Sequence, residues 1–206
     1  MEATLPLLFA AVVGFGHAFE VDHLVAVGNI VTKRDRMILA MKDGIYWGLG
    51  HSSTIVLIGL IMIIGKATFL NDCFGYFEAA VGAMLVLLGI VRLYQFFHPH
   101  QKASDLVDAQ SNHHLAYGVG LVHGLAGSGA MILLVMTEIQ SSWSSMLYLL
   151  IFGIGSIAGM LVAAGIFSLP FSKKLVNNQR AQLALVLLSS VLCIAYGGYV
   201  MFENLS

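Results

Sequence analysis

The sequence predicts an all-α integral membrane protein of six transmembrane helices, built as two inverted three-helix repeats. Three observations lead there. Of 206 residues 58% are hydrophobic and only 10% charged, far from the composition of a soluble domain. Six stretches reach the roughly 20 apolar residues that a span requires. The second half also resembles the first at a shift of about 105 residues, which lays His17 over His123, Gly48 and Gly50 over Gly153 and Gly155, and Tyr94 over Tyr199.

The first stretch is Leu5–Val31. It opens with an acidic "MEATLPLLF", where a secretory signal would be basic, and no small-residue cleavage pattern closes it, so it reads as a retained span. Inside it lies "GFGHAFEVDHLVAVGNIV", which carries His17, Glu20, Asp22 and His23. A charged group at the centre of a span costs on the order of 2.5–3.5 kcal/mol, so such a cluster needs a partner, water or a metal. On an ideal helix His17, Glu20 and His23 step round one side while Asp22 points elsewhere. Convergence of all four therefore predicts a break or kink, for which Gly14, Gly16 and Gly28 offer unusual backbone dihedrals.

The second stretch, Gly44–Gly65, contains "YWGLGHSSTIVL", with His51 beside Ser52 and Thr54. Three imidazoles and a carboxylate, His17, His23, His51 and Asp22, make a nitrogen-and-oxygen set that suits nickel(II), cobalt(II) or zinc(II) better than calcium or magnesium. An interhelical hydrogen-bonded network is the alternative reading of the same residues. Glu20 is open to three roles: ligand, proton acceptor or lining of a water-filled approach. The third stretch, Phe74–Phe97, carries no such cluster. The fourth, Leu115–Val135, holds "GLVHGLAGSGAM", and places His123 where the repeat has His17. His123 reads as a pathway residue or as part of a small-residue helix contact; Glu20, Ser52 and Thr54 join it as pathway or supporting residues. Met146–Pro170 and Gln182–Phe202 complete the six.

The chain thus divides into 1–97, a linker 98–114, and 115–206. His98, His100, His113 and His114 make the linker a weak metal-binding tract or a plain solvated loop. An odd number of spans per repeat inverts the second unit, the plan of many secondary transporters. Lys33, Arg34, Arg36, Lys42, Arg92, Lys102, Lys173, Lys174 and Arg180 then fall on one side and Lys66 on the other, which predicts both termini outside.

Several chemistries are excluded. Cys73 and Cys193 have no metal or disulfide spacing. A net charge of -1 gives no argument for nucleic acid. "GLIMIIGKAT" has five residues between its glycines and alanine in place of the required hydroxyl, so it is no phosphate-binding loop. No HExxH helix is present, and an enzyme is not expected beyond the weak alternative of a zinc-activated water at His17, Asp22 and His51.

"HAFEVDH" resembles the HxxxxDH signature of the NicO nickel/cobalt transporter superfamily, and "LGHSSTI" resembles that superfamily's second motif. "GLVHGLAGSGA" is most similar to the UreH-like branch, whose members are often named urease accessory proteins. The similarity spans the whole chain. It implies transition-metal permeation, chiefly of nickel, a fold akin to the LysE transporters, and metal recognition by His17, Asp22, His23 and His51. Gly16 stands where the high-affinity permeases usually carry arginine, and Glu20 where they carry aspartate.

Together these readings predict a nickel(II) transporter of a bacterial-type inner or plasma membrane, working by alternating access and supplying a nickel enzyme such as urease. Cobalt(II) and zinc(II) are the alternative ions. Efflux, a membrane metallochaperone and a metalloenzyme are the alternative functions. The lipid bilayer, a second copy of the chain and nickel-enzyme maturation proteins are the expected partners.

Overall fold

The computed structural model describes residues 4–31, 34, 36–65, 73–98, 113–126, 141–169 and 179–206. Among these residues the secondary structure is helical: α1 (Thr4–His17), α2 (Val21–Val31), α3 (Met37–Gly65), α4 (Phe74–Phe97), α5 (His114–His123), α6 (Ser142–Ser168) and α7 (Gln179–Leu205). Four of these helices are long and apolar enough to cross a membrane, or five if α1 and α2 count as one bent span.

The break expected in the first stretch is present. The axes of α1 and α2 differ by 55° across Ala18, Phe19 and Glu20. Short-range bonds close α1, from Phe19 N–H to the Gly16 carbonyl (2.9 Å) and from Glu20 N–H to the His17 carbonyl (3.1 Å). Leu24 N–H to the Glu20 carbonyl then starts α2. The glycines do not act as hinges: none of the described ones adopts a left-handed φ. A β-carbon on Gly14 would run into the Phe152 backbone, so its bare surface serves helix approach instead.

The second predicted span starts too late. α3 begins at Met37 and takes in Lys42 and Asp43, because Asp43 is satisfied by Arg34 and His113. Hydropathy locates the end of an apolar run, whereas the helix continues wherever its polar side chains find partners. α4 matches its prediction. α6 begins at Ser142 rather than Met146, capped by Ser141, whose hydroxyl oxygen accepts from Ser144 N–H. The predicted fourth span runs as α5 only to His123, followed by described residues to Ala126; the remainder to Val135 lies outside the described residues, as does Pro170. The linker is described only at His98, His113 and His114.

The main packing pairs are α3 with α6, α4 with α7, α1 with α6, and α3 with α5. Lipid tails supply no hydrophobic drive between helices, so close contact must come from small residues and shape. A β-carbon at Gly50 of α3 would meet the Tyr117 carbonyl of α5, and one at Gly155 of α6 would meet the Ala11 carbonyl of α1. Likewise Gly120 faces the Trp47 carbonyl, as Gly14 faces that of Phe152. All four contacts run between the halves, and at the shift of about 105 residues they form two pairs in which the glycine and its carbonyl partner exchange halves. Large apolar side chains such as Leu8, Phe9, Ile154 and Phe202 stay exposed, as lipid-facing residues do.

Candidate metal site

The bend decides which side chains meet. His17 is the last residue of α1 and His23 lies in the first turn of α2, so a change of axis between them folds the two rings together, 4.5 Å between centroids. α3 passes alongside and brings His51 to 5.2 Å from His17 and 5.1 Å from His23. α5 ends there at His123, 4.3 Å from His23. All four imidazoles are buried.

Hydrogen bonds orient three of these rings. His17 Nδ1 is 2.8 Å from Glu20 Oε1. Asp22 spans two imidazoles, with Oδ1 3.0 Å from His23 Nδ1 and Oδ2 2.9 Å from His123 Nε2. These contacts leave His17 Nε2, His23 Nε2, His123 Nδ1 and both nitrogens of His51 without a hydrogen-bond partner. A buried polar atom left unmade costs about 1–3 kcal/mol, and here several such atoms cluster. The ligand atoms of His17, His23 and His51 lie within 4.8 Å of one another, as do those of Asp22, His23 and His123. Small side-chain rotations would close either group on an ion at ~2 Å. A carboxylate behind a ligating imidazole fixes its tautomer and raises its basicity, and Glu20 and Asp22 stand in that relation to His17 and His23.

Apolar and backbone groups frame the cluster. Trp47 packs against His23 and His123, and Phe152 against His17. Ser52 donates to the Gly153 carbonyl (3.1 Å), and Thr54 to the Leu121 carbonyl (2.9 Å). Two of the three hydroxyls of the second motif thus fasten α3 to its neighbours on either side of His51, while Ser53 donates to the Leu49 carbonyl within α3. On the far side of Asp22 a cavity of about 480 Å³ is lined by Phe19, Glu20, Asp22, Glu78, Tyr196 and Glu203, among others.

Among the described residues, the linker histidines do not gather. His98 stacks on Tyr94 at 4.4 Å, and His113 Nδ1 lies 2.6 Å from Asp43 Oδ1 while its ring stacks on Tyr46. His114 opens α5, and His100 lies outside the described residues. Among the described residues, none of the three joins a group of metal-ligating side chains.

Asp43, Glu78 and Glu203 escaped the sequence reading. Asp43 sits one residue before the apolar run, and Glu78 and Glu203 near the ends of theirs, positions that look solvated. Only their partners in space, Arg34 and His113 for Asp43 and the cavity for the two glutamates, set them apart.

The chain is 29% identical to the urease accessory protein UreH of Bacillus sp. (strain TB-90), over 96% of this chain and 90% of the relative. It is 28% identical to a protein of Methanocaldococcus jannaschii named as a nickel/cobalt efflux system, over 98% of this chain and 95% of the relative. A shorter similarity, 30% identity over 42% of this chain and 28% of the relative, is to the nickel transporter NixA of Staphylococcus aureus. No protein-family profile matches the chain, and no solved structure matches it.

Proposed function

Its relatives support a nickel/cobalt transporter family, in the UreH-like branch, and from that premise we propose that the protein carries nickel(II) across the membrane through the buried imidazole cluster. The observation that carries this reading is the meeting of His17, His23 and His51 at the break between α1 and α2, where ligand atoms of all three lie within 4.8 Å of one another and each ring has a buried nitrogen without a hydrogen-bond partner. Neutral imidazoles suit nickel(II) and cobalt(II) and fit magnesium or calcium poorly. The names of the relatives from Methanocaldococcus and Staphylococcus speak for nickel and cobalt.

Asp22, the fourth residue of the motif-based site, takes a different part in this scheme. It holds His23 and His123 in register, and so couples the first half of the chain to the second. Glu20 does the same for His17 from a more exposed position. α1 and α5 both end at the cluster, His17 and His123 being their last residues. Helix C-termini carry partial negative charge and favour a cation.

Transport proceeds by rocking of residues 1–97 against 115–206, each taken as a three-span unit of opposite orientation. The matched close contacts, Gly14 on Phe152 with Gly120 on Trp47 and Gly155 on Ala11 with Gly50 on Tyr117, support the pseudo-symmetric plan. The excess of Lys and Arg between the first and second, and between the fifth and sixth, apolar stretches supports termini outside. Delivery to a nickel enzyme such as urease accords with the UreH relative, and outward transport with the relative from Methanocaldococcus.

The test is nickel flux in proteoliposomes holding only this protein, wild type beside His51→Ala, with gradients imposed in both senses. Flux lost in the variant supports the reading, and the productive gradient gives the direction. Binding without flux in any gradient would replace the transporter with a membrane metallochaperone. Wild-type flux in the variant would remove the site.

A further inference from the structure

Two groups of ligating atoms meet at His23, and they are chemically unlike. The deep group, His17, His23 and His51, has imidazole nitrogens only; the other, Asp22, His23 and His123, includes a carboxylate. Asp22 lines the open cavity, and none of the four imidazoles does. On the His23 ring, Nδ1 is engaged by Asp22 at 3.0 Å, while Nε2 has no hydrogen-bond partner and is left for the deep group. His123 keeps Nε2 on Asp22 and leaves Nδ1 unpartnered although its side chain is completely buried.

We infer that Asp22, His23 and His123 form a second, cavity-side metal position, and that one divalent ion steps between it and the deep position by changing edges on the His23 ring. This rests on the reading of the cluster as a metal pathway. The physical order follows from charge. A dication arriving from the cavity still holds water, and the carboxylate of Asp22 compensates part of its charge before the last waters are lost. In the deep position the ion is held by neutral nitrogens, with Asp22 now bonded to the His23 edge that the ion has left. The ring's proton moves from one nitrogen to the other as the ion changes edges, so the step needs no net proton. Because both positions use one ring and two dications this close repel strongly, a single ion occupies the pair.

His123 comes from the second half of the chain, whereas the deep ligands all come from the first. The step therefore transfers the ion from a position shared between the halves to one held by a single half, and a rocking motion that parts His123 from Asp22 would open or close the cavity-side position alone.

The probe is cobalt(II), whose visible spectrum and X-ray absorption report ligand number and type. Wild type, His51→Ala, His51→Gln and each of these combined with His123→Gln are purified in nanodiscs and checked for unchanged helicity and size. Glutamine can keep the hydrogen bond to Asp22 but is a poor ligand, so a merely structural His123 would tolerate it. Wild type is expected to bind one cobalt per chain with imidazole ligands. Either His51 variant is expected to bind one cobalt with a carboxylate oxygen added, and His123→Gln on top to weaken that binding by ~10-fold or more, the lower end of what supporting-ligand changes cost. The inference is overturned if the folded His51 variants bind nothing, if His123→Gln makes no further difference, or if wild type holds two ions at once. A wild type that binds no cobalt or nickel would instead overturn the metal-pathway reading beneath it.

Discussion

Asp22 and His123, 101 residues apart in the chain, meet at 2.9 Å beside the buried imidazole cluster. The contact joins α2 to the end of α5, and through the other oxygen of Asp22 it reaches His23. One carboxylate thus sets the tautomers of two imidazoles from opposite halves of the protein.

That double duty is what Asp22→Asn removes. An amide offers a single acceptor oxygen and no charge, so it can satisfy one ring and must turn a donor toward the other. Nickel flux should fall by roughly 10–100-fold, the usual effect of losing the group behind a metal-ligating histidine. The protein should remain inserted and monodisperse. Flux equal to wild type in proteoliposomes would show that the Asp22 bridge has no part in transport.

Glu20→Gln should be milder. Glu20 also braces an imidazole, but its side chain is 58% exposed, so water can take over as the partner of His17 Nδ1. A loss of less than about tenfold in nickel affinity is expected, below the Asp22→Asn effect in the same titration. An effect larger than that of Asp22→Asn would make Glu20 itself a ligand.

The pH dependence follows from the ligand type. Imidazole binds metal only when deprotonated, and free histidine titrates near 6.5, so nickel affinity should fall as pH drops through and below that region. The loss should be steeper than one proton per metal, because several rings compete with protons at once. His23→Ala should make the profile shallower. Calorimetric titrations from about pH 8 down to 4 check this; a His23→Ala profile as steep as the wild type's would remove His23 from the ligands.

How much of this was legible beforehand differs between parts of the molecule. The break after His17 could be foreseen because His17, Glu20, Asp22 and His23 cannot converge from one straight helix. Its mechanism could not: Gly14 and Gly16 invited a dihedral explanation, yet Gly14 is a contact surface for Phe152, and a β-carbon on Gly16 would meet nothing within 4 Å. A helix pattern does not say which glycines face another backbone. His123 was visible through the repeat, but its bond to Asp22 depends on where α5 ends in space. Ser52 and Thr54 read as pathway or supporting residues; that they donate to the carbonyls of Gly153 and Leu121 is a partner choice that no local sequence encodes.

The glycine contacts yield a paired test. At Gly50 a methyl group would press on the Tyr117 carbonyl and the backbone of Leu121, whereas at Gly118 it would meet nothing within 4 Å. Gly50→Ala should destabilise by about 1–3 kcal/mol through overpacking of α3 on α5. Gly118→Ala should be neutral or stabilise slightly, by up to ~1 kcal/mol of helix propensity. Thermal unfolding in detergent compares them; equal behaviour would mean that α3 and α5 do not approach as closely as described.

Asp43 anchors the other end of α3, where Arg34 Nη2 donates to Oδ1 at 2.7 Å, Nε donates to Oδ2, and His113 bonds Oδ1. The carboxylate is 2% exposed and Arg34 8%, so removing the charge takes the carboxylate counter-charge from a buried guanidinium. Breaking such a pair from one side costs on the order of 3–5 kcal/mol, where an exposed pair would cost less than about 1. Asp43→Ala should therefore unfold at markedly lower temperature, while His113→Ala, which leaves the Arg34 pair intact, should lose much less. If the two variants melt alike, the Arg34 pair adds no more to stability than the His113 contact, and the early start of α3 at Met37 needs another support.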